Sequence, residues 1–478
     1  MKSQMRSYKW IAFALLLTTL WGCKVPDAGA LKTENKATPA RFNHAVDSLA
    51  ANRPNWRQYF SDSNLIALID TALAKNQELN IVKKEIDIRN NEVLARAGEY
   101  RPFVNIGAGL GAEKVGRYTR DGAVEKNIEI KPGKEFPEPL TDLMGGVYAS
   151  WELDVWHKLR NAKKAAVSRY FASIEGKNFL VTNLIAEIAN SYYELMALDN
   201  QLDIINTNIG LQQNILGIIK QEKEAAKVTQ LAVNRFEAQV LNTQNRQYEI
   251  RQRIVETENR INFLIGRFPQ PVIRSSATYN SAAVDSVLAG LPSQLLANRP
   301  DIRQAELELE AAKIDISVAK ANFYPSFGIK AGLGLQAFNP VYLINPESIL
   351  VNLVGDMMAP LVNKNAIKAT YFNANATQVQ AVYNYERSIL NGYIEVVNQL
   401  SGMRNFADSY STKAKEVDIL TQSINISNSL YRSARADYME VLLTQREALE
   451  SKMELIEIRM KQLSARVNVY RALGGGWY

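Results

Sequence analysis

The chain has 478 residues, 47% of them hydrophobic, 22% charged and 9% aromatic, with a formal net charge of +7. At the usual ~150 residues per domain, this length suggests about three domains. The apolar content excludes a disordered chain, the lack of long uncharged apolar runs past the N-terminus excludes a bundle of membrane helices, and one cysteine with two histidines excludes a disulfide scaffold or a His/Cys metal centre.

Lys2, Arg6 and Lys9 precede an apolar stretch from Trp10 to Gly22, and Cys23 follows. A basic head before a short apolar run is the pattern of an export signal, here 1–22. The stretch is too short to cross a ~30 Å hydrocarbon core. Cys23 follows small Gly22, with Leu20 three residues upstream. This resembles a bacterial lipobox, which implies that Cys23 becomes the lipidated first residue of the mature chain. Removing the leader takes three Lys/Arg and no acid, so the net charge falls from +7 to +4. In the body basic residues alternate with acids, as in Glu222-Lys223-Glu224. That is the pattern of solvated helix faces, not a phosphate-tracking stripe, and no nucleic-acid partner is expected.

An internal repeat organises the rest. Tyr100 to Gly111 matches Phe323 to Gly334, with Pro102 and Pro325 offset by 223, as are Ala108 and Ala331. Ser150–Asp154 pairs with Ala359–Asn363 at an offset of 209, so the intervening linker is 14 residues shorter in the second copy. Each copy holds two segments of strand periodicity: about 103–117 and 140–155, then about 325–338 and 349–361. Val104, Ile106, Ala108 and Leu110 alternate with Asn105, Gly107 and Gly109, which gives one apolar face and one polar or tiny face. The glycines lie inside this alternation and a helix precedes it, which excludes a dinucleotide loop. Such strands are long enough to cross an outer membrane when tilted. Segments 113–140 and 337–348 read as external loops.

Two proline-free tracts follow the strand pairs, from Pro139 to Pro269 and from Pro360 to the end. Both have helical apolar spacing, and continuous helices of about 73 residues would reach roughly 110 Å. Breaks are expected at Ala226–Thr229 and Ala434–Asp437, with Thr229 and Asp437 as N-caps. Four strands leave open edges that lipid does not tolerate, so several chains must close one barrel. Three chains would supply 12 strands, although closure alone does not separate a trimer from other multiples.

The residues carry a family resemblance. Trp56-Arg-Gln-Tyr-Phe60, Trp151-Glu-Leu-Asp154, the stretch Gly290 to Ile302 around Arg299-Pro-Asp301, and the close Val467-Asn-Val-Tyr470 to Trp477 are similar to a TolC-like outer-membrane factor of the OprM/NodT lipoprotein type. The resemblance implies an α+β membrane protein: a trimeric 12-stranded outer-membrane β-barrel, four strands per chain, continued by a long periplasmic α-helical barrel. By residue, it implies a signal peptide 1–22, a lipidated N-terminal and equatorial segment 23–60, and a first repeat 61–269 with long helices 156–266. An inter-repeat equatorial segment 270–300 follows, then a second repeat 301–478 with long helices 363–473. The implied function is the exit duct of a tripartite efflux pump, exporting drugs or toxic small molecules without catalysis. The implied partners are two further copies, a periplasmic adaptor, an inner-membrane RND-type transporter and outer-membrane lipid, with no cofactor beyond the lipid on Cys23. A duct for type I protein secretion and a structural coiled-coil lipoprotein are the alternatives.

The family closes its duct at the periplasmic helix tips. The residues placed there are Lys227, Thr229, Arg435, Asp437, Met439, Glu440, Leu443 and Arg446. Both tip turns lack the glycine usual in the family, and Leu443 stands where relatives of the OprM kind carry a gate aspartate. Two closures therefore stay open: an acidic ring from Asp437 or Glu440, or a constriction by Met439 and Leu443.

Overall fold

The computed structural model describes residues 25–27, 31–42, 55–279, 290–433 and 435–476. The expected signal peptide, Cys23, and parts of both equatorial segments lie outside the described residues. The chain divides into two compact units. One comprises residues 1–33, 88–170 and 307–382; the other comprises 34–87, 171–306 and 383–478.

The helices are α1 (Trp56–Tyr59), α2 (Ser63–Lys75), α3 (Gln77–Glu99), α4 (Arg120–Asn127), α5 (Lys158–Glu224), α6 (Gln230–Leu264), α7 (Leu295–Asn298), α8 (Pro300–Ala321), α9 (Pro340–Leu343), α10 (Asn365–Arg432) and α11 (Tyr438–Ala472). The strands are β1 (Phe103–Glu113), β2 (Glu129–Lys131), β3 (Lys134–Glu135), β4 (Leu140–Leu153), β5 (Ser326–Ala337) and β6 (Ile349–Met358). Helices predominate and the sheet is small. The second copy repeats the first: α3 and α8 start 223 residues apart, as do β1 and β5, while α6 and α11 start and end 208 apart.

The first unit is built on an antiparallel sheet in the order β1-β4-β5-β6. Its register places Val104 opposite Ala149, Ile106 opposite Val147, and Leu110 opposite Leu143. The same rows continue through Val147, Leu333 and Val351, and through Ala149, Ala331 and Leu353. Because side chains alternate, one face is apolar on all four strands. That face is bare: Ile106 is 86% exposed and Leu353 76%. Gly146 faces Gly334 so closely that a Cβ on Gly146 would lie 2.7 Å from the Gly334 Cα, an approach that only glycine allows.

The strands are shorter than expected. β1 ends at Glu113 instead of running to 117, because its partner begins at Leu140, directly after Pro137 and Pro139. β4 stops at Leu153, where Asp154 turns to cap α5, and β6 stops two residues before Pro360. The expected loop 113–140 is not irregular throughout. Thr119 caps α4 with a hydrogen bond to the Gly122 N–H, and β2 and β3 form a hairpin turning at Gly133.

The second unit contains the largest core. Leu65, Ile69, Ile185, Ile188, Tyr192, Leu195 and Tyr279 are fully buried there. α5 and α10 are 67 and 68 residues long, close to 100 Å each at 1.5 Å per residue. Both are a little shorter than the 73 residues expected. Among the described residues no helix is long and apolar enough to cross a membrane, which says nothing of the sheet.

Candidate functional site

The apolar and polar faces of the sheet define one candidate functional surface, and the helix turns define the other. Opposite the apolar rows, the sheet presents Asn105, Asp142, Tyr148, Ser150, Glu152, Lys330, Gln336, Asn352 and Asp356, with glycines between them. Gln336 Nε2 donates to Asp142 Oδ1 at 3.0 Å, and Lys330 Nζ lies 3.3 Å from Asp356. A surface of this kind wets easily.

Both helix turns sit close to the expected breaks. After α5 the chain reverses through Ala226 at φ +58°, an unusual conformation for a residue with a Cβ. The Ala226 N–H donates to Lys223 O and the Lys227 N–H to Glu222 O, the two bonds of a Schellman closure. After α10 the Arg435 N–H donates to Leu430 O at 2.9 Å, the same six-residue closure. Thr229 and Asp437 occupy the N-cap positions of α6 and α11, but neither side chain makes a cap hydrogen bond. The capping expected of them is therefore positional only.

An apolar cluster of Ile219, Ala232, Val233 and Phe236 holds the four helix ends, with Tyr431, Tyr438 and Leu442 packed against it. The Tyr431 hydroxyl donates to the Glu222 carboxylate, tying α10 to α5. Burial, and then this bond, raise the Tyr431 phenol above its ordinary value. Arg235 Nη1 donates to the Met439 sulfur at 3.5 Å, and Phe236 lies 6.3 Å from Tyr438. Lys227, Thr229, Arg435, Asp437, Glu440 and Arg446 are exposed on the chain, and Leu443 is 38% exposed. Among the described residues no ion pair within the chain engages Lys227, Arg435, Asp437, Glu440 or Arg446. Sequence reading missed Tyr431, Glu222, Arg235 and Phe236. Their one visible signal was the presence of aromatic or charged side chains within about two turns of a helix break.

Further along the same unit the charges are tied down. Arg274 pairs bidentately with Asp199 at 2.6 and 2.8 Å and with Glu258 at 2.5 Å. Arg299, 3% exposed, pairs with Asp301 and Glu395 and donates to Ala472 O at the end of α11. Tyr470 Oη accepts from the Gly476 N–H at 2.9 Å, and Gly474 and Gly475 hold φ of +99° and +60°. These contacts give a structural reason for the Arg299-Pro-Asp301 and Val467–Gly476 stretches.

The architecture is found in solved channels. It superposes on the outer-membrane channel OprN with a TM-score of 0.82 at 21% identity, covering 95% of this chain and 99% of that one. On the open state of the MtrE outer membrane channel of Neisseria gonorrhoeae the TM-score is 0.80 at 20% identity, over 95% and 98% of the two chains. In sequence the chain is 27% identical to the solvent efflux pump outer membrane protein SrpC of Pseudomonas putida, over 90% of this chain and 89% of that one. It is 26% identical to the cation efflux system protein CusC of Escherichia coli, over 98% and 99%. The family model described as outer membrane efflux protein matches residues 68–267 and 291–475. The chain therefore belongs to the outer membrane efflux protein family, as a TolC-like channel of the outer membrane and not an enzyme.

Proposed function

We propose that the chain is one third of the exit duct of a tripartite efflux pump, passing drugs or other toxic small molecules outward without chemistry of its own. The observation that carries this reading is the four-stranded sheet, with one apolar face in register and both edges, β1 and β6, unpaired. In lipid each edge N–H and C=O needs a partner, and two further copies supply them in a closed 12-stranded barrel. The apolar face then meets lipid and the face carrying Lys330, Asp356 and Asp142 lines the lumen. The helices continue the tube through the periplasm toward an adaptor and an RND-type transporter. Acylated Cys23 anchors the mature chain.

The gate is the pair of helix turns. The unpaired side chains of Asp437, Glu440 and Arg446 are available to neighbouring copies, and Met439 and Leu443 lie on the same stretch of α11. Opening splays helix ends that a small apolar cluster and the Tyr431–Glu222 bond hold together. The relatives named above are called solvent and cation exporters, so cargo differs between proteins of one architecture.

Heat-modifiable migration on gels together with conductance in planar bilayers tests the duct. A monomer that never conducts would sink it. Within a conducting protein, Arg446→Ala or Asp437→Ala should raise single-channel conductance. Unchanged conductance in both removes these residues from the gate and leaves Glu440 or the Met439–Leu443 constriction.

A further inference from the structure

At the helix end of the sheet three chemistries follow one another within the first unit. First comes the bare apolar face. Next, Trp156 and Tyr324 stack at 4.8 Å and 28°, and Trp156 Nε1 donates to Pro325 O at 2.7 Å. An open cavity of about 400 Å3 lies beside them, walled by Val155, Trp156, Tyr324, Met358 and Pro360. Amphipathic aromatic rings at the rim of an apolar band mark a membrane interface. Then come cations.

The acids at this end are already engaged. Glu152 pairs with Lys158, Asp315 with Arg169, Asp356 with Lys330 and Glu99 with Arg96. Asp154 accepts the N–H groups of Leu159 and Arg160, both at 2.9 Å, so the N-terminus of α5 takes up its charge. Arg101, Lys164, Lys320 and Lys368 are exposed, and among the described residues none of them has an ion-pair partner in the chain. They fall one to each strand. Arg101 is two residues before β1 and Lys320 six before β5. Lys164 follows β4 by about 9 Å of α5, and Lys368 follows β6 by about 5 Å of α10. The loop end of the sheet differs. Residues 113–139 hold six Lys/Arg against six Asp/Glu, and 338–348 hold one acid alone. Arg117 there spends its charge on Glu138 at 3.0 Å.

We infer that Arg101, Lys164, Lys320 and Lys368 form a cationic collar that binds the phosphates of anionic phospholipid headgroups in the leaflet at the helix end of the sheet. Four cations distributed one per strand fit a plane of charge better than a single anion, which would need them to converge on a point. Long Lys and Arg stems reach along an apolar rim while the charge stays at the headgroups, within the ~8 Å over which salt leaves such attraction effective. This inference rests on the sheet being barrel wall.

The test uses the full-length protein in zwitterionic detergent, with its thermal midpoint followed as phosphatidylglycerol, phosphatidylcholine or inorganic phosphate is added. Phosphatidylglycerol should raise the midpoint by several degrees, less so at high salt, while phosphatidylcholine and inorganic phosphate leave it in place. The variant R101Q/K164Q/K320Q/K368Q should lose most of that shift, and the loop-end control K126Q/K134Q should keep it. Native mass spectrometry, counting phosphatidylglycerol retained per assembly, should follow the same order. An equal response to phosphatidylcholine or phosphate, or an undiminished shift in the fourfold variant, overturns the collar. So does a fourfold variant in which ion selectivity changes and the lipid shift stays, because the cations would then line the lumen. Wild-type protein that never conducts in bilayers would instead refute the barrel reading.

Discussion

Two regions of the helical unit handle charge in opposite ways. Around Tyr192 and Tyr279 the core is large, and its guanidinium groups are held between acids: half-buried Arg274 between Asp199 and Glu258, buried Arg299 between Asp301 and Glu395. At the helix turns the cluster has only four buried apolar residues with half-buried ones packed against them, and Lys227, Arg435, Asp437, Glu440 and Arg446 stand exposed and outside any ion pair among the described residues. Between the two regions, Asn208 Oδ1 and both amide atoms of Gln212 are buried and find no hydrogen-bond partner among the described residues. A buried polar group without a partner costs stability, so this layer marks where the large core's grip weakens. The contrast teaches that dense packing and paired charge are concentrated where the connectors cross the long helices and are sparse at the ends that the proposed gate would part.

The largest test strikes the rigid region. Arg299→Met should cost about 3 kcal/mol, because Asp301, Glu395 and the Ala472 carbonyl would lose their shared donor. The low end of the range for buried pairs applies because Glu395 is 42% exposed. Thermal unfolding of the purified protein reads the loss, and a change under 1 kcal/mol would mean that the network is ornamental. Alkali is the next lever. Burial raises the phenols of Tyr59, Tyr192 and Tyr279, as well as Tyr431, above the ordinary value of 10.0. Since the folded state holds these protons more tightly, their contribution is complete below pH 10 and is lost as the pH rises through the folded-state values. Tyrosinate absorbance should therefore lag behind that of the unfolded chain. Three of the four phenols belong to the large core, so Y431F should leave most of the lag in place.

Much of the fold was legible in residue patterns, and the reason is geometric. Period-two alternation from Val104 to Leu110 survives into the structure because one face of each strand is bare and the other polar. The 223-residue offset survives because α3–β1 and α8–β5 are copies without a gap. What failed was the strand ends. Lys114 to Arg117 continue an acceptable pattern, yet β1 stops where Pro139 denies it a partner, which is a property of another segment. The small helix α4 and the β2–β3 hairpin were hidden in a charged stretch that reads as loop. At the helix turns the breaks were legible from Thr229 and Asp437, but their roles were not. The Tyr431–Glu222 bond joins residues 209 apart, and no local pattern announces such a pair.

Gln212→Leu bears on the layer between the two regions. Replacing an amide that finds no protein partner should stabilise the chain by about 1 kcal/mol and make the helix ends harder to part, lowering open probability in bilayers. Destabilisation would show that the amide is satisfied in the assembled channel.

The smallest expected effect is the most specific to the turns. Ala226 holds φ +58°, where an L-residue with a Cβ pays about 1–2 kcal/mol relative to its usual backbone. Glycine removes that strain and gives back part of the gain through the greater freedom of the unfolded chain, so Ala226→Gly should stabilise the turn by about 0.5–1 kcal/mol. The Schellman bonds from Ala226 and Lys227 need no change to accept it. If the exposed ends are built to part, a relaxed turn should alter the unfolding midpoint slightly while leaving single-channel conductance unchanged, since the turn moves as a unit with its helices. A conductance change from this substitution alone would show that strain at Ala226 takes part in opening, and that the turn is itself a moving part of the gate.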